Sequence, residues 1–202
     1  KEYSITYNNI EDATNPNTAT SYTVEDNVSL EEPTKVGFEF LGWYLNETFD
    51  GDPITSTEGL LEDLTLYAKW TATEFKVNYD VKGNANFNTS RVENLQEQNL
   101  ELNPATYSVK HTLLDYERNE YADYLRELNP EKYVNASNAQ TALLEQIEFY
   151  SNEAQKASIT LKEISVSGWT FIGWFDDEGN EVTSLDKLSP KEINLTARWE
   201  QN

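Results

Sequence analysis

An internal repeat is the feature of this sequence that most constrains its fold. Residues 37–44 read GFEFLGWY and residues 168–175 read GWTFIGWF, a shift of 131 positions. The match extends back to residues 28–30 and forward, at a shift of 129, from residues 64–70 to residues 193–199. A repeat of this size indicates two copies of one structural element, which we call modules.

The repeat divides the chain into two modules with a short joint between them. The first module covers residues 1–70, the joint residues 71–74 and the second module residues 75–202. The second module is longer by about 60 residues. We expect the excess to be an insertion at about residues 91–157.

The shared segments have the pattern of β-strands. Residues 64–70 alternate Leu, Leu, Ala and Trp with Thr, Tyr and Lys, and residues 193–199 repeat this alternation. A period of two is typical of a strand with one buried face. Large rings at equivalent strand positions usually belong to the core, so we predict structural core rather than a carbohydrate-stacking surface for four tryptophans. They are Trp43, Trp70, Trp174 and Trp199.

The segment that lengthens the second module has a helical pattern. Apolar residues recur at spacings of three and four between residues 139 and 154, which places them on one side of a helix. A second such stripe runs from Leu114 to Leu128. Its helix begins either after Pro104 or at Thr112, and the next proline ends it near position 130. The sequence therefore predicts an inserted helical hairpin.

This predicted hairpin is rich in tyrosine. Tyrosine is favoured at interfaces because it buries a large ring and keeps a polar hydroxyl. Four residues are candidates for binding a partner, namely Tyr107, Tyr116, Tyr124 and Tyr133. The alternative is that rings such as Tyr121 only pack the two helices against each other.

The composition excludes several classes of function. The chain has 15 basic and 36 acidic residues, a net charge of -21, which disfavours nucleic acid and anionic membrane surfaces. It has no Cys and one His, so it cannot form disulfides, thiolate zinc sites or multi-histidine metal sites. No apolar run is long enough to span a bilayer. We expect no enzymatic activity, no cofactor, no metal, no nucleic-acid partner and no direct membrane insertion.

Two short stretches of the sequence combine acidic residues with a glycine. Residues 176–181 (DDEGNE) have the composition of a calcium loop but lack its twelve-residue spacing, so we predict a hairpin turn there and at residues 50–53.

The chain begins at Lys1 and contains no Met, from which we expect a fragment of a longer protein. Signals for export and anchoring would then lie outside it, and the fragment is expected to be a monomer.

The repeated block has the form G-x-x-F-x-G-W-[YF] and is followed about 25 residues later by a strand ending in A-[KR]-W. In the first module it is accompanied by YTVEDNVSL at 22–30 and PTK at 33–35. These segments resemble the Listeria–Bacteroides repeat, the B-repeat of internalin-type surface proteins. In the second module the resemblance covers about residues 75–80 and 159–199.

The resemblance implies an α+β fold of two tandem ubiquitin-like β-grasp modules, the second with the helical insertion. It also implies an extracellular location on the bacterial cell surface. The expected function is a tandem-repeat spacer or interaction segment that projects or presents binding domains. The alternative is an adhesin-type module that binds a host protein, an envelope protein or a glycan through the tyrosine-rich insertion.

Overall fold

The chain is a mixed α+β protein in a computed structural model that describes residues 1–134 and 137–202. It separates into two compact units, Lys1–Thr73 and Glu74–Asn202. We call them unit 1 and unit 2 and describe each by itself.

Unit 1 is built on one four-stranded sheet. Its strands are β1 (Glu2–Asn8), β2 (Ser21–Thr23), β3 (Phe38–Tyr44) and β4 (Leu64–Ala72), in the order β2-β1-β4-β3. The central pair β1 and β4 is parallel, and the other two pairs are antiparallel. All of residues 1–73 are described, and none of them lies in a helix.

The alternation of β4 positions the core of unit 1. Its apolar residues point to one side of the sheet, where Leu66 and Ala68 are fully buried. Thr65 and Lys69 alternate with them on the opposite side, as expected for a half-buried strand. The other buried members of this core are Ile5, Tyr22, Leu30, Trp43, Leu64 and Trp70.

A glycine bulge shapes the edge strand β3. The pairing with β4 shifts by one residue between Phe40 and Gly42, and Gly42 has a φ of 138°. A Cβ atom at this position would lie 2.5 Å from the Cβ of Pro53, which is closer than any real contact. Glycine is therefore required both for the backbone conformation and for the approach of the proline ring.

The described residues of unit 2, 74–134 and 137–202, form a four-stranded sheet, a small second sheet and four helices. The main sheet contains β5 (Phe75–Asp80), β6 (Thr106–Tyr107), β8 (Trp169–Phe175) and β10 (Ile193–Gln201), in the order β6-β5-β10-β8. The second sheet pairs β7 (Ser158–Thr160) with β9 (Ser184–Asp186). The helices are α1 (Thr89–Leu102), α2 (Asp115–Leu128), α3 (Pro130–Tyr133) and α4 (Ser137–Gln155).

Helix α1 belongs to the core of the sheet. Leu95 is 2% exposed and packs in the same cluster as the strand residues, with Val92 partly buried against it. The helix begins after Asn88, whose side chain accepts a hydrogen bond from the main-chain N–H of Arg91. At its other end Asn103 donates from its side chain to the carbonyl of Lys162, which ties the helix end to the loop after β7.

The remaining three helices have a core of their own. Its buried residues are Ala122, Leu125, Tyr133, Leu143 and Ile147. The apolar stripes of the sequence correspond to α2 and α4, and α2 ends at Leu128 as the following proline predicts. The described part of the segment holds four helices where the sequence pattern predicts two, because α1 has too few apolar residues to form a visible stripe and α3, with four residues, is too short to show one. Asn135 and Ala136, inside the predicted insertion, lie outside the described residues.

Candidate functional site

The four tryptophans singled out by the repeat are all buried. None is more than 4% exposed. Each indole N–H donates to a main-chain carbonyl oxygen at 2.8 to 3.1 Å: Trp43 to Glu31, Trp70 to Asn9, Trp174 to Lys162 and Trp199 to Val81. With the ring packed and its only donor satisfied, these residues offer no face for stacking a ligand.

Aromatic neighbours fix the orientation of these rings. In unit 1 the centroid of Phe40 lies 5.4 Å from both tryptophan rings, edge to face. In unit 2 Phe171 takes the same place, at 5.3 and 5.2 Å. Edge-to-face pairs of this kind add to the stabilisation that burial provides.

Two of the four candidate tyrosines lie in cores. Tyr107 is 5% exposed, and its hydroxyl both donates to the carbonyl of Lys191 at 2.8 Å and accepts from its N–H at 3.0 Å. Tyr133 is 7% exposed and belongs to the core of α2, α3 and α4. In these positions neither ring is accessible to a partner.

The other two candidates differ from each other. Tyr116 is half-buried, and burial raises the pKa of its hydroxyl, with the charges of Glu117 and Glu120 adding to the effect. Tyr124 is 55% exposed on the outer side of α2. Of the four, it offers the largest ring surface to solvent.

Tyr124 is part of a stack of three rings. The ring of Tyr121 lies 4.2 Å from that of Tyr150 and 6.1 Å from that of Tyr124, with interplanar angles of 26° and 24°. Tyr121 is half-buried and Tyr150 is 40% exposed. We call Tyr121, Tyr124 and Tyr150 the tyrosine face. Neither Tyr121, which the sequence offers as a helix-packing ring in the alternative interpretation, nor Tyr150 is among the four candidate binders.

The electrostatic environment of this face is negative. Burial raises the pKa of Tyr150, and the charges of Glu117 and Glu74 raise it further. Burial also raises the pKa of Tyr121, with a smaller contribution from Tyr124. Both hydroxyls therefore stay neutral at physiological pH and keep their hydrogen-bonding protons.

The single histidine lies next to the first turn of α2. His111 Nδ1 lies 2.9 Å from the carbonyl oxygen of Val109, and its Nε2 lies 3.5 Å from a carboxylate oxygen of Glu117. Burial lowers the pKa of His111, but the hydrogen bonds to Glu117 and Val109 outweigh it and the net shift is upward. With acceptors on both nitrogens, the ring is placed to hold a proton rather than to act as a general base.

A buried lysine caps the end of α4. Lys187 is 4% exposed, and its ammonium group donates to the carbonyls of Glu153 and Ala154 at 2.9 and 3.0 Å. These are among the last carbonyls of the helix, which have no partner within it. Burial lowers the pKa of Lys187, opposed by the negative charge of Glu153. Its role in the structure is to attach α4 to the segment that follows β9.

The acidic stretch at 176–181 forms a turn, as the sequence predicts. The main-chain N–H of Asp176 donates to the carbonyl of Asn180, and Gly179 has a φ of 84°. The Asp176 carboxylate accepts from the N–H groups of Asn180 and Glu178, and these bonds, with that of Asn180 first, lower its pKa. Over residues 1–134 and 137–202, no group of three or more His, Asp or Glu is arranged to hold a metal ion.

None of the described helices is both long and apolar enough to cross a membrane.

Comparison with known proteins identifies one region of the chain. Residues 3–69 match the model of the Listeria-Bacteroides repeat domain. A protein of Evansella cellulosilytica described as "Putative membrane protein" is 34% identical over 61 residues, which are 30% of this chain and 9% of that relative. No solved structure matches the chain. The comparisons therefore support one Listeria-Bacteroides repeat, over residues 3–69.

Proposed function

We propose that this chain is a tandem-repeat spacer and presentation segment of a bacterial cell-surface protein, in which two repeat modules carry and present binding domains. The matched repeat family occurs in bacterial surface proteins, and it supports the assignment for residues 3–69. The observation that supports the proposal most strongly is that unit 2 repeats the hydrogen bonds of the buried tryptophans and of one core tyrosine of unit 1. We take unit 2 to be a second copy of the repeat.

The tryptophan hydrogen bonds correspond in the two units. Trp43 donates to the carbonyl of the residue 12 positions earlier at 3.1 Å, and Trp174 does the same at the same distance. The bulge of β3 lies opposite Trp70 of β4, and β8 has its register shift at the equivalent place, opposite Arg198 and Trp199 of β10. The indole hydrogen bonds and the bulges depend on the path of the main chain, so their recurrence supports a shared architecture.

A tyrosine in the core also corresponds. The hydroxyl of Tyr22 donates to the carbonyl of Glu62 at 2.7 Å and accepts from its N–H at 3.4 Å. Tyr107 makes the same pair of bonds with Lys191. Both tyrosines pair across the sheet with the first strand of their unit, Tyr22 with Tyr3 and Tyr107 with Phe75.

We further propose that both units are variants of a ubiquitin-like β-grasp module. Each has a parallel central pair, β1 with β4 and β5 with β10, flanked by antiparallel edge strands. Unit 2 also packs helix α1 on its sheet, whereas unit 1 fills the corresponding position with the non-helical segment at residues 9–20. Unit 1 would then be the reduced form of the module.

The proposed mechanism is steric and requires no catalytic centre. Each unit buries its two repeat tryptophans, and the one histidine is held between two acceptors. The high negative charge, -21, keeps such a segment soluble and disfavours self-association. We therefore propose a non-enzymatic, monomeric segment with no cofactor and no nucleic-acid partner.

The alternative is an adhesin-type module that binds a protein or a glycan through the helices of unit 2. One observation favours it, which is the exposure of Tyr124 and Tyr150 in a stack of rings on α2 and α4. A spacer does not need such a surface, because the core of these helices is complete without Tyr124.

Two measurements test the proposal. Antibodies raised against residues 1–202 should label intact cells of the source bacterium without permeabilisation. Labelling that requires permeabilisation would contradict a surface location. In the second measurement, the parent protein lacking residues 112–156 is compared with the complete one. A pure spacer keeps its adhesion to host or envelope material, and loss of adhesion would instead support the adhesin-type alternative.

A further inference from the structure

We propose that the tyrosine face binds a cationic protein segment, whose Lys or Arg side chains lie over the rings of Tyr124 and Tyr150. This inference rests on the adhesin-type alternative above and specifies the chemistry of its partner. It follows from the exposure of the rings, from their stacking and from the charge around them.

The three helices that carry the face have an uncompensated negative charge. Between residues 115 and 155 there are nine carboxylates and three basic side chains. Arg126 pairs with Asp123 at 2.7 Å, and Arg118 lies 3.7 Å from Glu148. The third, Lys132, lies over the ring of Tyr133. The basic groups of this segment are thus already engaged, and a cationic partner would supply the missing positive charge.

The rings provide the second half of the site. Cations bind over the face of a tyrosine ring within about 6 Å of its centroid, and the attraction grows when carboxylates stand nearby. Tyr124 and Tyr150 are the outer members of the stack, and each exposes 40% or more of its surface. Glu117 and Glu74 are close enough to Tyr150 to raise its pKa, so a cation at that ring would also meet their negative field.

Other partners fit this surface less well. Nucleic acid and anionic glycans would be repelled by the same carboxylates. A neutral sugar could stack on the rings but would gain nothing from the charge around them. A basic protein segment uses both properties of the face at once.

The test measures binding of a fluorescein-labelled hexa-arginine peptide to the complete chain by fluorescence anisotropy, at low and at moderate salt. The chain's overall charge attracts any polycation, so the variants must leave the charge unchanged. Tyr124→Leu and Tyr150→Leu remove the aromatic face and keep an apolar side chain. Phe149→Leu is the matched control, since Phe149 is 61% exposed on α4 but is not part of the stack. Tyr124→Phe keeps the ring and loses the hydroxyl.

We expect Tyr124→Leu and Tyr150→Leu each to weaken binding at least five-fold, while Phe149→Leu and Tyr124→Phe change it less than two-fold. Circular dichroism should show that the helices remain folded. Equal binding by all four variants would overturn the proposal, because only the general negative field would then be at work. Tyrosine-dependent binding of neutral maltohexaose without binding of the peptide would also overturn it and leave the adhesin-type alternative standing. If neither ligand binds in a tyrosine-dependent way, both fail and the spacer function is unaffected.

Discussion

The two units differ in the length of the connection that follows their first strand. It spans 15 positions from Ile5 to Thr20 in unit 1 and 28 positions from Val77 to Ala105 in unit 2. An equivalent main-chain hydrogen bond joins the ends of both connections. The N–H of Ile5 donates to the carbonyl of Thr20 at 2.8 Å, and the N–H of Val77 donates to that of Ala105 at 2.9 Å. The 13 additional positions in unit 2 accommodate α1. This helix adds Leu95 to the core of the sheet.

A second difference lies further along the chain. Unit 1 passes from Tyr22 to Leu30 in 8 positions, and unit 2 passes from Tyr107 to Leu161 in 54. Leu30 and Leu161 both donate their N–H to a threonine carbonyl, at 2.8 and 2.9 Å. The 46 additional positions hold α2, α3 and α4, which form a separate core.

The comparison shows two ways of enlarging one sheet. Lengthening a loop costs little closure entropy, so both sites tolerate additional chain. The shorter addition is too small to bury its apolar side alone and packs on the sheet. The longer one has enough apolar residues to form its own core, and it is attached to the segment that follows β9 through Lys187, whose ammonium group donates to the carbonyls of Glu153 and Ala154.

The largest expected effect comes from removing tryptophans that occupy equivalent positions in the two units. Trp70→Ala and Trp199→Ala should each destabilise their own unit by about 3–5 kcal/mol, the usual cost of deleting a large buried ring. Urea denaturation followed by amide NMR signals of each unit gives both values in the complete chain. If one substitution lowered the free energy of unfolding by less than about 1 kcal/mol and the other by the full amount, the two tryptophans would not be structurally equivalent.

A pair of leucine substitutions distinguishes the contribution of α1 to stability from that of α2, α3 and α4. Leu95→Ala should cost unit 2 about 2–5 kcal/mol and lower the stability of its sheet, because Leu95 packs on the strands. Leu143→Ala should cost a similar amount but only within α2, α3 and α4. Hydrogen exchange of the sheet amides distinguishes them. Equal acceleration by both variants would show that the helices and the sheet unfold as one unit.

The glycine bulges should respond unequally. Gly42→Ala and Gly173→Ala both place a side chain at positive φ, which costs about 1–3 kcal/mol. The new Cβ of Gly42→Ala would meet the ring of Pro53 at 2.5 Å, whereas that of Gly173→Ala would meet the carboxylate end of Glu181 at 3.0 Å. Since Glu181 can move away, Gly42→Ala should cost about 1 kcal/mol more in thermal denaturation. Equal costs would mean that the proline ring also gives way.

The strands and the helical stripes could be predicted because their signals are local. The period of two in residues 64–70 follows directly from a strand with one buried face, and it appears in the structure as the alternating burial of β4. The stripes at 114–128 and 139–154 likewise reflect long helices with a packed side. Both signals depend on neighbours within a few residues.

The helix α1 and the tyrosine face could not be predicted in the same way. Helix α1 buries Leu95 and Asn99, and it is fixed by contacts with strands distant in sequence. The sequence makes Tyr107 a candidate binder because tyrosine is favoured at interfaces, but Tyr107 lies on the two-residue strand β6 beside Phe75. The stacking of Tyr121 on Tyr150 depends on how α2 packs against α4, which no spacing within one helix reveals.

The smallest expected effect is a pH dependence confined to unit 2. Because the folded-state pKa of His111 is raised, its stabilisation is complete below the unfolded value near 6.5 and disappears as pH rises through the folded pKa. The groups around the ring are Glu117, Lys187 and the Val109 carbonyl. The helices of unit 2 should thus be more stable at pH 6 than at pH 8, by an amount that His111→Gln removes. NMR titration of this single histidine measures the pKa, and a value below 6.5 would contradict the geometry.

The most direct test of the correspondence between the units is hydrogen exchange at the five indole N–H groups, followed by NMR. Four indoles donate to main-chain carbonyls, in two equivalent pairs, while Trp169 is only half-buried. We predict slow exchange for Trp43, Trp70, Trp174 and Trp199 and fast exchange for Trp169. If Trp174 or Trp199 exchanged as fast as Trp169 while the tryptophans of unit 1 stayed protected, unit 2 would not be a second copy of the repeat.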